Sequence, residues 1–102
     1  MNDGAKSAYF TTRRSVMEMK KALAARTPSV SWVAGNNDFE GEYLSGVADE
    51  KIALSIEPEL ADELFQLTVY VMLHDPSPYV ERLEERFEEV KRALEEAGAR
   101  FE

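Results

Sequence analysis

No cysteine occurs in the 102 residues, and that absence removes disulfides, thiolate zinc sites, iron–sulfur clusters and cysteine nucleophiles together. Packing alone has to hold such a fold, and a reducing compartment suits it. Histidine is nearly as scarce, with His74 the sole example. Transition metals draw on several imidazoles or thiolates, so no metal site is expected. No run of about 18 apolar residues, the length a membrane span needs, is present, and MNDGAKSAYFTTRRS at the start has no apolar stretch long enough for a signal peptide. The expectation is a soluble, cytoplasmic protein with no membrane association. GxSxG elbows, P-loop glycine runs and dinucleotide fingerprints are also missing, which removes the enzyme families that depend on them and leaves no cofactor expected.

Charge of one sign is in short supply too. The chain carries 12 Lys or Arg against 20 Asp or Glu, a formal net of −8, unevenly spread. Residues 1–34 hold six bases and two acids, a net of +4, whereas the remainder holds six bases and eighteen acids, a net of −12. Such a field repels phosphate backbones, so no nucleic-acid partner is expected. It keeps a small protein soluble, and it can attract a basic protein surface. Arg13, Arg14, Lys20 and Lys21 form the one basic cluster, able to pair with acids of a partner subunit or with this chain's own last helix.

With 44% hydrophobic residues, ten of them aromatic, there is material for one modest core and a single domain spanning 1–102. The clearest element is the last helix. Val80, Leu83, Phe87, Val90, Leu94 and Ala97 recur at steps of three and four while the Glu, Lys and Arg residues between them face elsewhere. Gly98 stops it, and Asp75-Pro76 or Ser77-Pro78 supplies its start. FQLTVYVML alternates with period two, placing Phe65, Leu67, Val69, Val71 and Leu73 on one face of a strand. KIALSIE (51–57), FEGEYLSGV (39–47) and SVSWVA (29–34) give three more strands, with turns at GNND (35–38) and ADE (48–50). Thr12 or Ser15 caps a helix over 13–26 that buries Val16, Met19 and Leu23 and ends at Thr27-Pro28. EPELADEL (57–64) offers one helical turn after Pro58. Residues 6–11 read either as an extension of the first helix or as an added edge strand, and 1–10 as that strand or as chain without fixed structure. The resulting fold class is α+β: a two-layer sandwich in which a four-stranded antiparallel meander carries an N-terminal and a C-terminal helix on one face, in the order α-β-β-β-β-α. Both helices are expected over Phe65, Val69 and Leu54.

That arrangement leaves the opposite face of the sheet open. Thr68, Tyr70 and Met72 lie there, with His74 at the end and Trp32 or Tyr43 joining from neighbouring strands, an apolar-rich set for a free surface. His74 and Asp75 invite a catalytic reading, but adjacent residues of an extended chain point to opposite sides. Catalytic residues are therefore not assigned. Glu57, Glu59, Asp62 and Glu63, like Asp38, Glu40 and Glu42, lack the converging oxygens and sharp glycine turn of a calcium loop. The sequence thus points to a small acidic, non-enzymatic protein-binding module (adaptor, inhibitor or immunity type) acting as a homodimer or on another protein. The alternative is a ligand-binding or enzymatic domain whose open face is closed into a pocket by a second subunit.

Overall fold

In the computed structural model the described residues are 4–37, 41–61 and 63–102. Elements follow the order β1 (Ala5–Thr11), α1 (Val16–Arg26), β2 (Val30–Asn37), β3 (Gly41–Ala48), β4 (Ile52–Pro58), β5 (Leu64–Val71), α2 (Val80–Glu96) and β6 (Arg100–Phe101). The strands form one sheet in the order β2-β3-β4-β5-β1-β6, each neighbouring pair antiparallel. The class is α+β, as the periodicities indicate, but among the described residues the sheet has six strands rather than four.

Both extra strands have physical reasons for escaping the pattern. β1 enters the sheet between β5 and β6, with Lys6, Ala8 and Phe10 opposite Val69, Leu67 and Phe65. Lys6 therefore points at the core side, where an alternation rule expects an apolar residue. Its ammonium sits 4.6 Å from the centroid of the Phe87 ring and 2.8 Å from Glu84 Oε2, so the stem is covered while the charge stays paired. β6 has two residues, too short for any period.

The helices depart from expectation in placement. They do not sit together over Phe65, Val69 and Leu54: α1 packs against β2 and β3, α2 against β5 and β1, and the two touch each other. α1 begins at Val16, later than residue 13, because Ser15 forms a capping box. Ser15 Oγ accepts from the Glu18 N–H and Glu18 Oε1 accepts from the Ser15 N–H. Arg14, left outside the helix, donates from Nε to the Ala97 carbonyl at the end of α2. α2 stops where Gly98 takes φ +103, letting the Ala99 N–H reach the Leu94 carbonyl. Its start uses neither proline pair as a direct cap. Asp75 accepts from the Ser77 N–H and hydroxyl, closing a 3-10 turn over Ser77–Tyr79 that leads into the helix.

The segment 57–64 makes no helical turn among its described residues. Pro58 ends β4, the Glu59 N–H donates to the Leu64 carbonyl, and Glu63 takes φ +66 in a tight reversal. Of the GNND turn, residues 35–37 belong to β2 and Asp38 lies outside the described residues, as do Glu40 and Asp62.

One buried cluster joins the helices to the sheet: Val16, Met19 and Leu23 from α1, Leu83, Phe87 and Val90 from α2, and Phe10, Leu44, Leu54, Ile56, Leu67 and Val69 from the strands. Trp32 belongs to it. Its ring lies over Gly46, its cross-strand partner, so closely that a Cβ there would come within 3.0 Å of the indole. Its Nε1–H donates to Thr27 Oγ1 at 3.0 Å, and that hydroxyl donates onward to the Leu23 carbonyl. A buried indole needs such an acceptor, and Thr27 thereby fixes the end of α1 to the start of β2.

Candidate protein-contact surface

The register sets three rows of side chains across the side of the sheet away from this core. Val33, Ser45, Ser55, Thr68 and Ser7 stand opposite one another on β2, β3, β4, β5 and β1, so four hydroxyls run side by side across four adjacent strands. Ser31, Val47, Ala53, Tyr70 and Ala5 make a second row by the same pairings. A third contains Gly35 beside Tyr43, and Glu57 beside Gln66 and Tyr9. Among the described outer positions of β1–β5, Glu57 is the single charged residue. Val33 is 63% exposed and Tyr9 and Tyr70 are 43% exposed.

Local chemistry explains why the chain presents this face. Each of these positions alternates along its strand with one that faces the core, so burying Leu67 and Val69 obliges Thr68 and Tyr70 to face outward. Tyr43 is held by a partner with no side chain: a Cβ on Gly35 would fall 2.3 Å from its ring, so the phenol lies flat across that glycine. The β2–β3 hairpin thus carries an aromatic over a glycine on each side, Trp32 on Gly46 within and Tyr43 on Gly35 without.

Thr68 and Tyr70, expected on this face, are brought together on β5. Met72 is also exposed, at 44%, but lies past the end of β5, its N–H donating to the Lys51 carbonyl. His74 is exposed in the bend that follows. Asp75 next to it is engaged by Ser77, whose hydroxyl and N–H hold its carboxyl below the usual range. Trp32 is the correction. At 8% exposed it belongs to the core cluster, on the opposite side from Tyr70, because Gly46 opens a slot for its ring and Thr27 an acceptor for its N–H. The residues missed were Tyr9, Ser7, Ser45 and Ser55. The signal for them was a hydroxyl at every second position in Ser7, Tyr9 and Thr11 and again in Tyr43 and Ser45, with Ser55 alone between the apolar residues of IALSIE.

Away from the face, charge is concentrated along the helices. Asp49, at the β3–β4 turn, accepts from Arg86 Nε at 2.9 Å and from Arg82 at 3.4 Å. The Arg86 hydrogen bond, opposing the cost of burial, holds its carboxyl below the ordinary aspartate value and raises the guanidinium in turn. Asp49 and Glu50 take φ +52 and +62, a left-handed pair that the Asp49 tie to α2 helps hold. An open groove of about 660 Å³ passes Arg13, Arg14 and Arg100 but also Glu18 and Glu63, and another runs beside Arg26, Glu89, Arg92 and Glu96. Both mix charges of opposite sign, and neither opens onto Thr68 and Tyr70.

Chemically, the outer face offers flat rings and groups that both donate and accept. A hydroxyl nucleophile needs a base beside it, and Glu57 is the one carboxylate in these rows. Among the described residues no group of acidic, cysteine or histidine side chains is arranged to hold a metal ion, and no helix is long and apolar enough to cross a membrane. No protein-family model and no curated protein matches the chain.

Proposed function

We propose that this chain is a small, acidic, non-enzymatic protein-binding module of the adaptor, inhibitor or immunity type that works as a homodimer and presents the outer face of its sheet to a protein partner. In this reading sheet and helices form two layers, with the outer side left for the partner. The observation that supports it is the composition of that face. Three of the four tyrosines, Tyr9, Tyr43 and Tyr70, lie on the same side of the sheet as Ser7, Ser31, Ser45, Ser55 and Thr68. Tyrosine supplies large, stiff, amphipathic contact area at low entropic cost, and serine supplies adaptable hydrogen bonding, the combination that antibody paratopes use to recognise proteins. A face with two tyrosines 43% exposed and one charge among its described positions is a sparse use of charge on a chain that is 31% charged.

Capture from the native lysate tests the reading, comparing the parent with a Tyr9→Ser, Tyr70→Ser variant. A protein retained by the parent and at least tenfold depleted with the variant, at unchanged thermal unfolding, is the expected result. Equal retention by both would refute the face as the contact surface, and a large fall in melting temperature would show the tyrosines to be structural.

A further inference from the structure

We infer that the second copy docks through the free edge of β2, the two β2 strands pairing antiparallel about a twofold axis at Val33 to make one continuous sheet. The inference rests on the homodimer reading above and specifies its geometry.

The two ends of the sheet are unlike. β6 closes one end with two residues, one of them Arg100; shortness and charge are the usual means by which an edge is kept from pairing. β2 closes the other end with eight residues, VSWVAGNN, that include no charge and no proline. Its outward hydrogen-bonding groups follow from one observed bond. The Val30 N–H donates to the Thr27 carbonyl at 3.0 Å, so it points away from β3. Antiparallel alternation then turns the backbone groups of Trp32, Ala34 and Asn36 outward as well, while Ser31, Val33 and Gly35 bond to β3.

A twofold axis at Val33 uses these groups fully. Trp32 stands opposite Ala34 of the second copy in a hydrogen-bonded pair, Ala34 opposite Trp32 in another, and Ser31 opposite Gly35 between uncharged neighbours. Val33 meets its own copy at a non-hydrogen-bonded position, where side chains approach most closely. That contact covers the most exposed large apolar side chain within the strands, at 63%.

Charge selects the occupant. A basic protein would be drawn to the acids of α2, not to an uncharged strip. A second copy carries the same net −8 and is repelled everywhere except where charge is missing. Self-pairing also satisfies the twofold rule that the same patch serves on both sides. Its product is one sheet with two Tyr/Ser faces on the same side.

A cysteine-free chain makes the test direct. In the Val33 pair the two Cα atoms lie about 4.5 Å apart, inside the roughly 4.4–6.8 Å that a disulfide spans. Val33→Cys is therefore expected to oxidise to a covalent dimer, and Ser55→Cys, at the centre of the outer face, is not. Ala34→Pro removes an outward N–H while leaving the outer face intact, and is expected to weaken dimerisation at least tenfold in sedimentation equilibrium. A dimer that links through Ser55→Cys but not Val33→Cys, or one unaffected by Ala34→Pro, overturns the edge geometry and leaves the homodimer standing. A parent chain that stays monomeric at every concentration overturns both.

Discussion

α2 and β2 divide the chemistry of this protein between them. Eleven of the 17 residues of α2 are charged, against none of the eight in β2. The helix spends its charge inside the molecule: Glu84 holds Lys6, Glu96 holds Arg26 and Arg86 holds Asp49. β2 anchors itself inward through Trp32, and among the described residues no strand pairs with its outer edge, while Val33 is 63% exposed. The difference is what the proposed pairing rests on, since a like-charged copy would be repelled by the one element and not by the other.

The largest effect is expected where β2 is anchored. Trp32→Ala removes the indole from the slot over Gly46 and should cost roughly 3–5 kcal/mol in chemical denaturation, whereas Val33→Ala, one residue along, should stay within about 0.5 kcal/mol for the monomer. Similar losses at both would break the distinction between the two sides of the strand.

On the α2 side, Asp49→Asn keeps a residue that tolerates positive φ but weakens the charged bonds to Arg86 and Arg82, for a loss of roughly 1.5–3 kcal/mol. The pH dependence follows from the lowered carboxyl. Its contribution is fully present above the ordinary aspartate value of 3.8 and is lost as pH falls through the lower folded value. The stability gap between parent and Asp49→Asn, followed by denaturant midpoint, should therefore be constant through neutral pH and close in strong acid. A gap that widened on acidification would contradict the ion pair.

A smaller gain should come from Glu50→Gly. Glycine accepts φ +62 without a Cβ penalty, at some cost in unfolded-chain entropy, for a net stabilisation of roughly 0.5–1 kcal/mol. Thermal unfolding reads it directly, and no change would mean that Asp49 alone sets the turn.

What could be read in the chain beforehand follows the same division. α2 was legible because its apolar stripe is separated by charge, and β5 because Leu67, Val69 and Val71 alternate with Thr68 and Tyr70. β1 was not, because Lys6 points toward the core and is made tolerable by Phe87 and Glu84, both far along the chain in α2. In β2 the sequence VSWVA is apolar on both faces, so local alternation does not say which side Trp32 takes. Gly46 on the next strand and Thr27 at the end of α1 decide it. The outer face was half visible through Thr68 and Tyr70; the rows that complete it require the cross-strand register.

Sedimentation equilibrium across a wide concentration range, parent beside Val33→Lys, addresses the role of the uncharged edge most directly. The parent should approach twice the 11.5 kDa chain mass, and the lysine variant, with its unfolding unchanged, should remain at 11.5 kDa. A parent that never rises above the single-chain mass, or a variant that dimerises as the parent does, would contradict the account.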